Sequence, residues 1–89
     1  MKKEIVALRW NDASAYDEES LDKHHFDLSP TIQIGIVFDE DDKKIRLVHS
    51  YDITDEQHDF IVIPTSLIEQ RITLGFFDTK TYQINDKQK

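Results

Sequence analysis

Between Thr31 and Asp39 an apolar side chain stands at every second position, in the order Ile32, Ile34, Ile36 and Phe38. This period of two is that of a β-strand. Lys44 to Tyr51 alternates in the same way, and the charged residues 40–43 separate the two segments. The pattern predicts an antiparallel hairpin with a charged turn. A glycine inside the first segment, Gly35, indicates a bend or bulge.

Further strands are predicted on both sides of this hairpin. Glu4 to Trp10 alternates, with Val6, Leu8 and Trp10 on one face and Ile5, Ala7 and Arg9 on the other. Phe60 to Ile63 is short and wholly apolar, and Pro64 ends it. A 3₁₀ turn at 65–67 then leads into a strand over 67–74 that Gly75 stops, and one more short strand is predicted at 81–84.

These elements predict a mostly-β fold of five to six short antiparallel strands. A bent second strand and a tight turn before the fifth favour a small Sm-like barrel or a strongly bent sheet. Residues 14–28 are polar and acidic, which indicates a loop or a short helix after the first strand. We expect a single β domain over residues 1–84, followed by a polar tail at 85–89.

Composition limits the cellular compartment and the classes of partner that we expect for this chain. The chain has 89 residues, enough for one domain. It has no cysteine, which excludes disulfides and zinc–thiolate sites. Small secreted domains usually need disulfides, and no apolar stretch here is long enough for a signal peptide or a membrane span, so we expect a cytoplasmic protein without a membrane partner. A net charge of −7 disfavours nucleic acid as a partner.

Catalytic and metal-binding signatures are not found in the sequence. No pair among His24, His25, His49 and His58 has the i,i+4 spacing of a helical zinc site. The acidic stretch 39–42 lacks the spaced oxygens and the central glycine of a calcium loop. There is no G-x-S-x-G motif, and two glycines cannot build a phosphate-binding loop. We therefore expect no enzyme activity, no bound metal and no cofactor.

Four residues are candidates for binding a ligand. Trp10 and Tyr51 each end a strand, where the ring either closes the core or stacks on a planar ligand. Arg46 and Arg71 lie on strand faces opposite the main apolar stripes, as does Arg9. If two such arginines converge they can hold a phosphate through paired hydrogen bonds; otherwise they are solvated and balance nearby acids.

The chain contains four short motifs in this order: Trp-Asn-Asp-Ala at 10–13, Gly-Ile-Val at 35–37, Glu-Asp-Asp at 40–42 and Ile-Pro at 63–64. Over residues 5–74 this pattern resembles a diffuse group of small phage and prophage-type proteins without assigned function. An aromatic residue often follows the glycine in that group, whereas Ile36 stands there in this chain. The resemblance implies a phage accessory gene acting in the host cytoplasm, and it assigns no catalytic residue.

Together these features favour a small non-catalytic binding protein. Its most concrete form is a counter-defence sponge, a homo-oligomer that sequesters a nucleotide signal between subunits. Oligomerisation is expected because the strand 60–63 is apolar on both faces. The alternative is an acidic inhibitor that occupies a basic site on a host protein. An Sm-like nucleic-acid binder and a structural phage component also remain open.

Overall fold

The computed structural model describes residues 2–12 and 29–86, which form one antiparallel sheet. Its strands are β1 (Lys2–Asp12), β2 (Ser29–Glu40), β3 (Lys44–Asp52), β4 (Gln57–Pro64), β5 (Ile68–Asp78) and β6 (Ile84–Asp86). The strand order is β4-β3-β2-β1-β5-β6, so the sheet is not closed and β4 and β6 are its edges. The mostly-β prediction and the central hairpin are confirmed. The expected acidic loop at 14–28 lies outside the described residues.

One face of the sheet, called here the inner face, carries the hydrophobic core. The buried side chains come from four strands: Val6, Leu8 and Trp10 of β1, Val37 of β2, Ile45 and Leu47 of β3, and Ile63 of β4. Ile61, Leu67 and Ile68 pack against them. The core thus contains one full face of β1, as the alternation over residues 4–10 predicts.

A single 3₁₀ turn at Thr65–Leu67 joins β4 to β5, as predicted. Pro64 precedes it in an extended conformation. The backbone N–H of Thr65 donates to the carbonyl of Lys43, and its hydroxyl donates to the carbonyl of Asp42, both at 2.9 Å. These two bonds fix the turn against the β2–β3 connection, and Leu67 packs against the core.

The more apolar face of β2 points away from the core, onto what is called here the outer face. Val37 is buried, whereas Ile32 and Ile34 are 63% and 54% exposed. Gly35 allows this because β3 passes close to it: a Cβ on Gly35 would lie 3.0 Å from both the Cβ of Leu47 and the carbonyl oxygen of Val48. The bulge expected at Gly35 instead falls between Val37 and Asp39.

Strand β5 continues through Gly75, where the sequence predicts its end. Gly75 pairs with Ile5 of β1 on one side and with Asp86 of β6 on the other. A Cβ at Gly75 would lie 2.3 Å from the carbonyl oxygen of Asn85, so only glycine lets β6 approach this closely. The predicted strand at 81–84 is therefore displaced to Ile84–Asp86.

Register shifts between β1 and β5 also reverse the expected faces of β5. A shift between Arg9 and Trp10 leaves Ile68 opposite Trp10 on the inner face but turns Ile72 outward, where it is 46% exposed. Arg71 consequently lies opposite Leu8, on the inner-face side of the sheet. No described residue belongs to a helix that is long and apolar enough to cross a membrane.

Candidate functional site

The end of the β3–β4 hairpin bends away from β2 and approaches β5. β2 pairs with β3 only over Ile36 to Glu40, and a register shift follows Val48. The ring of Tyr51 near the end of β3 then lies 5.9 Å from the ring of Phe77 on β5. It also lies 6.1 Å from the ring of Tyr82 in the β5–β6 turn. The hairpin end and β5 therefore enclose a space beside the sheet.

That space is a cavity of about 170 Å³, called here the hairpin pocket. An apolar cavity of about 150 Å³ is large enough to hold benzene. The hairpin pocket is thus sized for one small ring, and it is smaller than the roughly 300–1,000 Å³ typical of a drug-sized ligand. Its lining is mostly apolar and aromatic: Lys3, Ile36, Val37, Phe38, Val48, Tyr51, His58, Phe77 and Thr79.

His58 is at the centre of the ring contacts. It is the register partner of Tyr51, and the two rings stack at 5.3 Å between centroids with planes 6° apart. Phe38 stacks on His58 at 5.9 Å, and Phe60 meets it edge-on at 4.7 Å. The Nδ1 atom of His58 is buried and has no hydrogen-bond partner among the described residues. An unsatisfied buried polar atom of this kind is costly, so a ligand that bonds to it gains affinity.

Two cations adjoin these rings. Lys3 lines the pocket, and its Nζ donates to the carbonyl of Phe38 at 3.2 Å and lies 5.8 Å from that ring's centroid. The Arg46 guanidinium lies 4.8 Å from the Phe38 centroid and 5.2 Å from that of Phe60. The Arg46 guanidinium also donates two hydrogen bonds to the Asp39 carboxylate, and the one from Nε to Oδ1 is 3.0 Å long. These hydrogen bonds lower the pKa of Asp39 and raise that of Arg46.

The structure brings two of the four candidate ligand residues together and places each of the other two elsewhere. Tyr51 lines the hairpin pocket, and Arg46 lies close by on the ring of Phe38. Trp10 is only 5% exposed and belongs to the core, which is the first of the two roles considered for it. Arg71 takes part in an ion-pair network elsewhere. Tyr51 and Arg46 are thus the members of the set that share a surface.

Arg71 is held between two carboxylates. Its guanidinium donates to Glu40 at 2.8 and 3.2 Å and to Glu4 at 2.6 Å, and Thr73 also donates to Glu4. The hydrogen bonds to Glu40, together with the hydrogen bond to Glu4, outweigh the effect of partial burial and raise the pKa of Arg71. An anionic ligand would have to displace both carboxylates to reach this guanidinium. The network therefore serves to join β1, β2 and β5.

The acidic turn between β2 and β3 is similarly engaged within the fold. Asp39 pairs with Arg46 and Glu40 with Arg71. Asp41 Oδ1 accepts the backbone N–H groups of Lys43 and Lys44 at 2.8 and 2.9 Å, and these bonds lower its pKa. Over residues 2–12 and 29–86, no group of three His, Asp or Glu side chains is placed to hold a metal ion.

Sequence reasoning identified Tyr51 but missed Lys3, Phe38, His58 and Phe77. A signal for His58 was present. A hairpin folded about residues 53–56 pairs Asp52 with Gln57, and the next pair outward from the turn is Tyr51 with His58. Phe77 was missed because β5 was expected to end at Gly75. Comparison with known proteins finds no matching family model, no matching curated protein and no matching solved structure.

Proposed function

We propose that this chain is a non-catalytic binding protein that holds a small planar, anionic ligand in the hairpin pocket. The observation that carries the proposal is the convergence of ring side chains from four strands on a cavity of about 170 Å³ with Lys3 in its wall. In the most concrete version the protein is phage-encoded, acts in the host cytoplasm and sequesters a nucleotide signal stoichiometrically. The resemblance to phage and prophage-type proteins supports that version.

The pocket chemistry favours a nucleobase over an aliphatic ligand. Tyr51, His58 and Phe38 offer ring faces and edges, and every nucleobase has a π-face that stacks on such rings. The Lys3 ammonium supplies positive charge for a phosphate in a chain whose overall net charge is −7. The cavity holds a single base, so the sugar and phosphate would lie towards Lys3 and solvent.

The size of the pocket limits the affinity that one copy can provide. Stacking contributes roughly 1–3 kcal/mol per base, and the rest of the ligand would remain partly solvated. A nucleotide with two bases would engage two pockets, which is how a sponge of this size could bind tightly. A homo-oligomer is therefore part of the proposal.

For the fold we propose a partly open barrel of the small Sm-like type. The strand order places β5 beside β1, and a 3₁₀ turn separates β4 from β5. The core lies on the inner face of the sheet, and its residues come from β1 to β4 and from the 3₁₀ turn. The free edges β4 and β6 leave this arrangement short of closure.

The alternative function is an acidic inhibitor that occupies a basic site on a host protein, and it rests on the net charge of −7. The acidic turn adds little to it. Asp39, Glu40 and Asp41 are engaged with Arg46, Arg71 and backbone amides, so a basic partner would compete with contacts that hold β2 and β3. The hairpin pocket has no role in this alternative.

Isothermal titration calorimetry against a panel of mono- and dinucleotides tests the proposal. We expect saturable binding by the wild-type protein and a loss of roughly 5- to 100-fold in affinity for Tyr51→Ala, because one stacking partner is removed. Lys3→Gln should weaken phosphorylated ligands more than the matching nucleosides. Each variant is compared with wild type by thermal melting so that a folding defect is recognised.

Arg71→Ala is the matched control. If the hairpin pocket is the site, this variant loses stability and keeps its ligand affinity. A larger affinity loss for Arg71→Ala than for Tyr51→Ala would move the site to the Arg71 network. Failure of every nucleotide to bind at millimolar concentration would refute the sponge and leave the acidic inhibitor as the better hypothesis.

A further inference from the structure

Among residues 2–12 and 29–86, the first half of β2 is paired on one side only. Ser29 to Ile36 pairs with β1, whereas pairing with β3 begins at Ile36 and runs towards the β2–β3 turn. No described strand therefore lies against residues 29–35 on the side away from β1. A strand edge of this kind presents backbone N–H and C=O groups to any further strand that approaches.

This edge lacks the features that usually protect a free edge. The stretch from Pro30 to Phe38 contains no charged residue, in a chain with 18 acidic and 11 basic side chains. Ile32 and Ile34 lie on the outer face of the sheet beside this edge, and they are 63% and 54% exposed. Lysine side chains, further prolines or a covering strand would normally discourage pairing at such a site.

The edge of β4 that faces away from β3 is better protected against pairing with another strand. Its apolar residues Phe60 to Ile63 lie between the Asp59 carboxylate and Pro64, which has no N–H to donate. Phe60 is contacted by the rings of Phe38 and His58 and by the Arg46 guanidinium. Of these two edges, the first half of β2 is the one that the described part of the chain leaves open to another strand.

We infer that the first half of β2 is a dimer interface, at which two copies of this chain pair antiparallel about a two-fold axis at Gln33. An antiparallel pair centred there places Ile32 opposite Ile34 of the second copy, and Ile34 opposite its Ile32. Such cross-strand apolar pairs stabilise a sheet. The result is a continuous sheet across both copies, independent of whether the hairpin pocket binds a ligand.

The absence of charged side chains on this edge permits a second copy as its occupant. Two molecules that each carry a net charge of −7 repel one another wherever their acidic surfaces meet. The uncharged stretch 30–38 is where β2 can meet its own copy without placing like charges opposite each other. Because one pair of strand edges buries little area, we expect a weak dimer that forms at high micromolar concentration.

Analytical ultracentrifugation of the full chain from 10 to 500 micromolar tests the interface. The wild-type protein is expected to shift from monomer to dimer over this range. Ile34→Lys places a charge next to the proposed axis at Gln33, opposite Ile32 of the second copy, and should abolish the dimer. Ile84→Lys is the matched control, since it changes an isoleucine that is 72% exposed on the far edge strand β6 and should leave the dimer unchanged.

A disulfide tests the register separately. The chain has no cysteine, so Gln33→Cys introduces the only thiol. Directly opposed residues of an antiparallel pair have Cα atoms about 4.5–5.5 Å apart, within the range that a disulfide spans. Oxidised glutathione should therefore convert Gln33→Cys to a covalent dimer, with Gln70→Cys on β5 as the control that remains monomeric.

Two results would overturn the inference. The first is a wild-type protein that remains monomeric at 500 micromolar, or an Ile34→Lys variant that dimerises as well as Ile84→Lys. The second is a drop of several degrees in the melting temperature of monomeric Ile34→Lys without the same drop in Ile84→Lys. That second result would show that this edge is covered from within its own chain.

Discussion

Glu56 and Tyr82 lie in two different turns, and burial and the charge of the Glu56 carboxylate both raise the pKa of the Tyr82 phenol. Both have a positive φ, 56° for Glu56 and 60° for Tyr82, which is uncommon for residues other than glycine. Both turns lie where the β3–β4 hairpin approaches β5, and the Tyr82 ring lies beside the rings of Tyr51 and Phe77. Strain of this kind persists only where surrounding contacts fix it.

The pKa of Tyr82 provides a test of this interaction. Burial of the phenol, followed by the charges of Tyr51 and Glu56, raises this pKa above its usual 10.0. Glu56→Gln removes the charge, so the Tyr82 pKa should fall towards its ordinary value while remaining above it. The ring carbon shifts of Tyr82 followed by NMR against pH measure the change. Glu69→Gln, on β5, is the control, and an unchanged pKa in Glu56→Gln would contradict the interaction.

His58 and His49 form a matched pair for testing the ring cluster. His58→Ala removes contacts with Tyr51, Phe38 and Phe60, each worth roughly 0.5–1.5 kcal/mol for paired rings, so we expect a loss of about 1.5–4.5 kcal/mol in unfolding free energy. His49 is exposed on β3, and His49→Ala should change stability by less than about 0.5 kcal/mol. Urea denaturation measures both. Equal effects would mean that the rings do not form a packed unit.

Acid should destabilise the fold partly through Glu4. Partial burial alone would raise the pKa of Glu4, but hydrogen bonds from Thr73 and Arg71 and the Arg71 charge outweigh it and hold the pKa below 4.5. A depressed folded-state pKa contributes stability that is complete above the unfolded-state value and is lost as the pH falls through the folded-state value. Unfolding free energy should therefore decline as the pH drops below about 4.5.

Glu4→Gln separates this contribution from those of other carboxylates. The variant should be less stable than wild type at pH 7, and the difference should shrink as the pH falls through the folded-state pKa of Glu4, where Glu4 of the wild type gains its proton. Asp39 and Asp41 also have lowered pKa values and continue to titrate in both proteins. A difference between the two proteins that is independent of pH would show that the Arg71 network does not depend on the Glu4 charge.

Gly35 is expected to tolerate no branched side chain. A Cβ there would lie 3.0 Å from Leu47 and from the carbonyl of Val48, and two further methyl groups would press on β3. Gly35→Val should destabilise the fold by about 1–3 kcal/mol, as overpacking usually does, and Gly35→Ala by less. Thermal melting measures both, and a valine variant that melts within a degree or two of wild type would contradict the close approach of β3.

Local pattern was sufficient to predict the elements that depend on neighbouring residues alone. The β2–β3 hairpin, the buried face of β1 and the 3₁₀ turn after Pro64 all follow from alternation and turn chemistry. The pairing of β6 with Gly75 could not be predicted, because it depends on a backbone contact with Asn85, a residue ten positions later.

The faces of β2 and β5 were also beyond local pattern. Alternation in β2 shows two faces but not which of them is buried, and Gly35 decides it by letting Leu47 approach. In β5 a register shift beside Arg9 turns Ile72 outward and Arg71 inward. The candidate site inherits these errors: Arg71 was expected near a ligand, whereas Phe77 was expected beyond the end of the strand.

Aromatic-detected NMR during a nucleotide titration decides whether the hairpin pocket is a ligand site. We predict saturable shift changes in the rings of Tyr51, His58, Phe38 and Phe77, which line the pocket, and little change in Trp10, which is buried in the core. With Lys3→Gln the same changes should need higher concentrations of phosphorylated ligands, with a smaller effect for the matching nucleosides. Saturable binding whose shift changes fall outside these rings, or no saturable change with any nucleotide, would contradict the proposed function.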